Sequence, residues 1–325
     1  MLDNRARSTY TCTSNCRDQT ASPSIVGQWL MEWREQKPME RFAMAAGSLS
    51  GMTAFITGGS MGMGFNAARL CVGDGAAVAI MGRRADALEQ ARDRLIAEFP
   101  DATLVTVVGD ALDESAVRAG LKGAYDIQGR LDMIAATIGT AHFRPLLMHD
   151  VTTMRDDFDR NVVSAFLAIR HGAPLMHDGG AIVCVSSCAA AMPMKYLASY
   201  AAGKAGLEHF ARAAALELAP AKIRVNVIRP GLTRSEATEQ AYFGDDEIMR
   251  RFLACIPFGR PGESHEVAAG IRFLMGPESS FVTGQSFAVD GGMELMCQPD
   301  LSNVIEKAFG PEVLKAAQAG REPPQ

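Results

Sequence analysis

The sequence predicts an α/β fold: a doubly wound parallel sheet of seven strands with helices on both faces, in a single domain with an extension at each end. Three observations predict it. Short apolar runs closed by turn residues alternate with longer segments of helical period. Seven such runs follow one another with no internal linker and no short-period repeat. The 325 residues are 48% hydrophobic and 21% charged, which supplies one large core.

The first strand is residues 53–57 (TAFIT), an apolar run stopped by two glycines. A helix over 65–72 follows, then a second strand at 77–81 (AVAIM) and a helix over 85–99. Further strands are expected at 104–108 (LVTVV), 133–136 (MIAA), 182–185 (IVCV), 224–228 (RVNVI) and 286–289 (SFAV). Between the fifth and sixth, residues 207–218 place Leu207, Phe210, Ala211, Ala214 and Leu218 on one helical face. The domain is thus read as residues 49–293. Residues 1–48 are polar, then charged and tryptophan-containing, with no period, and are read as a disordered extension. Residues 294–325 form a C-terminal extension, with one helix expected over 302–319 and stopped by Pro323 and Pro324. It is expected to pack over the active site or on a neighbouring subunit, and the sequence leaves both open.

Charge and patterning exclude several classes. Net charge is −5, from 37 acidic and 32 basic residues, and no basic block marks a nucleic-acid partner. No apolar stretch reaches the roughly 18 residues that cross a membrane. The first twenty residues are polar and lack an apolar signal core, so the expected location is cytoplasmic. The seven cysteines are scattered; Cys12 and Cys16 have no second ligand pair, so free thiols are expected and no metal.

Thr57, Gly58, Gly59, Ser60, Met61, Gly62, Met63 and Gly64 follow the first strand and open a helix, a Rossmann-type strand–turn–helix. Glycine lets the backbone turn sharply and approach a pyrophosphate, which then meets the N–H groups at the helix N-terminus. Gly58, Ser60, Met61, Gly62, Met63 and Gly64 are therefore cofactor-binding candidates. Where the second strand ends, an enzyme using NAD often carries a carboxylate for the ribose 2′-hydroxyl. Here stand Arg83 and Arg84, whose guanidiniums match a 2′-phosphate, so NADP(H) is favoured over NAD(H). The alternative has one arginine stacked on adenine and the other solvated. Past the third strand, Asp110, with Ala111 beside it, is placed to accept a hydrogen bond from the adenine amine.

Tyr200 and Lys204 lie four apart, on one helical face. A free tyrosine is a poor acid or base at neutral pH, and a nearby ammonium is expected to draw its pKa down. Ser187 closes the fifth strand thirteen residues earlier, placed to hydrogen-bond a substrate oxygen. Tyr200 then donates a proton to a carbonyl, or accepts one from an alcohol.

TGGSMGMG, Asn161, VSS ending at Ser187, and YAAGK together resemble the pattern of the short-chain dehydrogenase/reductase family. RVNVIRPG at 224–231 and the stretch 258–292 are also similar to that family, so the resemblance covers about 49–293. It implies an NAD(P)-dependent oxidoreductase acting on CH–OH groups, with Asn161, Ser187, Tyr200 and Lys204 as the catalytic set. Lys204 is implied to hold the nicotinamide ribose as well, and Asn161 to anchor a water that links Lys204 to solvent. Tyr200, Lys204, Gly139, Pro230, Gly231, Leu232 and Thr233 are implied to contact cofactor, with Ile228 beside the nicotinamide and Ser235 as an alternative to Thr233. The family usually shows Asn-Asn-Ala-Gly after the fourth strand, where this chain has Ala136, Thr137, Ile138 and Gly139. That departure puts the bracing of the sheet beneath the site in doubt. The family also implies a homodimer or homotetramer formed through the helices near 152–171 and 196–218.

Three segments, 140–147, 188–197 and 232–258, are expected to wall the substrate pocket. They carry Phe143, Met192, Met194, Leu197, Tyr242, Phe243, Met249, Phe252 and Leu253. This lining points to a small, apolar carbonyl or alcohol: a steroid-like, aromatic or acyl ketone, or in a close variant a ring alcohol or dihydrodiol used with NAD. Cys188, next to Ser187, is read as small apolar packing, with an active-site thiol as the alternative. A reading of another class, a non-catalytic dinucleotide sensor or scaffold, has only the Ala136–Thr137 departure behind it.

Overall fold

A computed structural model describes residues 48–324. The extension read over residues 1–48, with Cys12 and Cys16, lies outside the described residues except for Ser48. Seven parallel strands form one sheet: β1 (Thr53–Thr57), β2 (Ala77–Gly82), β3 (Leu104–Val108), β4 (Met133–Ala136), β5 (Gly180–Val185), β6 (Ile223–Pro230) and β7 (Ser286–Val289). Their order across the sheet is β3-β2-β1-β4-β5-β6-β7. Central strands are buried on both faces, which is why β1 and β4 read as unbroken apolar runs. At the edge, β3 is only partly covered and leaves Val105 and Val108 exposed.

Helices cover both faces. On one side α1 (Gly62–Gly73) and α2 (Ala85–Glu98) pack Phe65, Ala68, Leu88 and Leu95 against the sheet. On the other, α3 (Glu114–Gln128) contributes Val117 and Leu121. The next helix runs as α4 (Val151–Phe158), a π-helical turn (Asp159–Val163) and α5 (Ser164–Gly172). α6 (Ala198–Leu218) buries Leu207 and Ala211 beside it. It begins at Ala198, so Tyr200 and Lys204 stand on its first two turns.

After β6 the chain leaves the sheet. Residues 233–234 pair with 262–263, pinning both ends of an excursion that contains α7 (Asp246–Leu253). α8 (Ser264–Met275) then returns to pack on α1's side of the sheet. The C-terminal extension departs from expectation: it forms two helices, α9 (Ser302–Phe309) and α10 (Pro311–Gln318). Gly310 sits at φ 90° with extended ψ, and Pro311 has no N–H to continue the ladder, so the chain breaks between them. Within the chain, the extension packs over the excursion. Leu301 is fully buried in a cluster with Leu197, Ile248, Phe252 and Ile256. No helix among the described residues is long and apolar enough to cross a membrane.

Candidate active site

The order reverses between β1 and β4, and the carboxyl ends of the strands open there into a crevice, the place where ligands bind in such sheets. One part is a cavity of about 390 Å³. Gly58, Ser60, Met61, Gly62, Met63, Gly64, Arg83, Arg84, Asp110, Ala111 and Gly139 all line it. α1 begins at Met61 with no side-chain cap, so the N–H groups of its first turn are left for a ligand. At Gly64 a Cβ would stand 2.3 Å from the Gly58 carbonyl oxygen, so only glycine lets the turn close on itself. Both arginines are exposed at the rim, and Arg84 opens α2. Asp110 accepts the Leu112 N–H on one carboxylate oxygen at 3.0 Å. Arg160 lines the same cavity, its guanidinium held by Asp156 at 2.9 and 3.0 Å. The sequence reading does not name it; it lies in the π-helical turn, which no sequence pattern marks. An uncapped helix end, a glycine cradle and rim guanidiniums fit a nicotinamide dinucleotide.

A second cavity of about 400 Å³ shares Met63, Thr137, Gly139, Thr140 and Ser235 with the first. Ser187, Tyr200, Lys204, Pro230, Gly231, Leu232 and Thr233 line it. Lys204 is buried, and its ammonium donates to the Val185 carbonyl at 2.8 Å, 5.8 Å from the Tyr200 ring centre. Ser187 lies two residues beyond the end of β5; its hydroxyl accepts the Ala189 N–H at 3.2 Å, which fixes the turn that presents it. Asn161 lies fully buried behind this wall, in the π-helical turn. Its amide donates to the carbonyls of Thr140 and Asp157 at 2.8 and 2.7 Å, while its own oxygen is buried without a partner among the described residues. Gly139 explains how these groups meet: a Cβ there would fall 2.6 Å from the Lys204 nitrogen and 2.8 Å from the Asn161 oxygen.

The electrostatics correct one expectation. Burial pushes the Tyr200 phenol up to about 12, opposed by hydrogen bonding from Ser187, so desolvation outweighs any downward pull from Lys204. Lys204 is itself pushed down to about 8 by burial. A consequence for stability follows. Below about pH 8 the folded and unfolded chains both carry this charge, and folding bears its desolvation. Between about 8 and 10.5 the unfolded chain keeps a proton the folded chain has released, so stability rises with pH. Relative to Lys204→Met, the native chain should therefore gain on the order of 3 kcal/mol across that window, read by urea denaturation. A flat difference would refute a buried, depressed ammonium.

The departure after β4 is repaired locally. The Thr137 hydroxyl donates to the Thr57 carbonyl at 2.6 Å, and the Thr137 N–H donates to the Thr57 hydroxyl at 3.2 Å. Threonine thus ties β4 to β1 where the family pattern has asparagine. Thr137→Val is expected to lower stability by about 1 kcal/mol in denaturant titration, and an unchanged midpoint would show the tie to be dispensable.

Of the expected pocket walls, Met194, Leu197, Tyr242 and Phe252 line the second cavity, as does Cys188. Phe143, Met192, Phe243 and Met249 pack behind them, and Leu253 is not in the lining. Met293 and Gln298 complete the wall from the C-terminal end. Neither is named by the sequence reading: Met293 closes the domain and Gln298 opens the extension, and only the folded chain brings both to this wall. His142 lies against Asp156 and Asp157, but these groups satisfy one another: the His142 ring bonds Asp157 at 2.8 Å, and Asp156 holds Arg160. A hollow at the opposite, amino ends of the strands, lined by Met52, Asp132 and Lys222, is on the wrong side of the sheet for this chemistry.

A family model described as enoyl-(acyl carrier protein) reductase matches residues 58–294. The chain is 28% identical over 245 residues to 3alpha-hydroxysteroid dehydrogenase of Mediterraneibacter gnavus, covering 75% of this chain and 97% of that protein. It is 32% identical over 249 residues to trans-4-hydroxycyclohexanecarboxylate dehydrogenase of Sinomonas cyclohexanicum, covering 74% and 91%. A solved short-chain type dehydrogenase/reductase from Mycobacterium ulcerans superposes with a TM-score of 0.79 at 32% identity, covering 82% of this chain and 98% of that one.

Proposed function

Because the chain belongs to the short-chain dehydrogenase/reductase family, and is an oxidoreductase acting on CH–OH groups, we propose that it moves a hydride between NADP(H) and an apolar ketone or secondary alcohol. The observation that carries this reading is the grouping of Ser187, Tyr200 and Lys204 on one cavity that opens into the glycine-rich cradle. A bound nicotinamide supplies or accepts the hydride. Tyr200, its phenol held protonated by burial, gives its proton to the carbonyl oxygen during reduction, and Ser187 orients that oxygen by hydrogen bonding. Lys204 keeps positive charge beside the phenol, and the unpaired Asn161 oxygen offers an acceptor for a water through which the proton is replaced. Arg83 and Arg84 take the 2′-phosphate of NADP, and Asp110 takes the adenine amine.

Substrate class rests on the walls: Met194, Leu197, Tyr242 and Phe252 favour an alicyclic or aromatic ring over a charged chain. The two ring-alcohol dehydrogenases to which the chain is similar support the same reading. We take residues 49–293 as the catalytic domain. Exposed Val151, Met154 and Phe158 on α4 and Leu216 on α6 support assembly into a homodimer or homotetramer. The test follows absorbance of NADPH or NADH with a panel of cyclic ketones and quinones. Turnover that prefers NADPH and apolar ring ketones is expected. Cofactor binding without turnover of any ketone, or of ring alcohols with NADP, would overturn the assignment.

A further inference from the structure

We propose that Cys255 and Cys297 are a modification site: a dithiol that oxidises reversibly to a disulfide and so latches the C-terminal extension (the strap) to the excursion between β6 and α8, which forms the lid of the substrate pocket. The two sulfurs stand 2.9 Å apart although 42 residues separate them in sequence. Cys255 is buried just after α7, and Cys297 is exposed in the strap. Their neighbours are functional: Phe252 precedes Cys255 by three residues, Gln298 follows Cys297, and both line the cavity that holds Tyr200. The other described thiols, Cys71, Cys184 and Cys188, are buried, and no thiol faces them among the described residues.

Otherwise the strap is held near its start by noncovalent contacts alone: Arg251 donates to the Asp300 carbonyl at 2.7 Å, and the Tyr196 and Ser302 hydroxyls meet at 2.7 Å. Gln298 donates to the Met192 carbonyl at 3.3 Å, and the Lys195–Asp300 pair at 2.9 Å is exposed to solvent. The exposed ion pair contributes little, so opening is governed by these hydrogen bonds and by the buried Leu301 and Ile305. A covalent bond at Cys297 would remove that freedom where the strap crosses the pocket wall.

The chemistry balances with a low-molecular-weight disulfide, such as glutathione disulfide, as oxidant. The Cys297 thiolate is the accessible nucleophile. It attacks one sulfur of the small disulfide, forming a mixed disulfide and expelling one thiolate. Cys255, whose thiol burial holds up at about 11, then loses its proton, attacks the Cys297 sulfur and expels the second thiolate. The two protons from the cysteines end on the two small thiols, and two electrons pass from the pair to the oxidant. Excess small thiol reverses both steps.

That the latch slows catalysis rests on the pocket assignment above; formation of the bond does not. The full-length protein is incubated with glutathione disulfide, digested without reduction and mapped. Hydrogen exchange of 298–309 is followed in parallel, together with turnover of the best ketone. A Cys255–Cys297 peptide is expected, with strap exchange about tenfold slower and turnover down about fivefold, both restored by dithiothreitol and absent in Cys297→Ser. Glutathione retained on Cys297 without the cross-link would overturn the dithiol. A cross-link that leaves strap exchange and turnover unchanged would overturn the latch. If the protein turns over no substrate while exchange slows on oxidation, the functional assignment fails and the latch stands.

Discussion

Tyr200→Phe is expected to lose turnover by about 10³-fold while binding the dinucleotide as the native chain does, because a positioned acid or base contributes typically 10²–10⁴ to the rate. The substitution removes one oxygen and leaves the ring between Ser187 and Lys204 in place. Initial rates with saturating cofactor, set beside cofactor affinity from fluorescence titration, separate the two effects. Loss of both would mean that the phenol holds the cradle together rather than moving a proton. The pH dependence sharpens the expectation. Burial, only partly offset by the Ser187 hydrogen bond, pushes the phenol up to about 12, so the ligand-free protein offers a protonated donor across the neutral range. Reduction should therefore keep its rate from pH 6 to 8, and oxidation should climb with pH as the proton is withdrawn.

Removing Arg83 and Arg84 together is expected to lower kcat/KM for NADPH by about 100-fold and to leave NADH within about threefold, since hydrogen bonds to a charged group contribute roughly 1.5–3 kcal/mol each. Both side chains are exposed at the rim, so the double alanine variant should fold normally, and circular dichroism checks that. Equal loss with both cofactors would show that the arginines serve the adenine or the common phosphates. No loss with either would remove them from the site.

The seven strands were legible because a parallel sheet covered on both faces demands unbroken apolar runs, and Thr53–Thr57 and Met133–Ala136 supply them. The glycine turn and the Tyr200–Lys204 spacing were legible because each is local: the physical constraint lies within one turn of backbone. What the sequence hid is what depends on chain segments meeting. Thr137 replaces an expected asparagine, and only the register of β1 beside β4 shows that it reaches Thr57. Gln298 and Cys297 acquire meaning once the strap returns across the lid. The direction of the Tyr200 shift was misread for the same reason. A charge four residues away is visible in sequence, whereas the desolvation that outweighs it is a property of the assembled pocket.

The most direct measurement supplies NADPH carrying deuterium at C4 of the nicotinamide, in each of its two stereoisomers, with an apolar ring ketone, and analyses the alcohol by mass spectrometry. One isomer should pass its deuterium to the carbinol carbon and the other none, because the ring is held with a single face toward the carbonyl. Alcohol formed without deuterium from either isomer, or no alcohol from any ketone or with either cofactor, would contradict hydride transfer at this site.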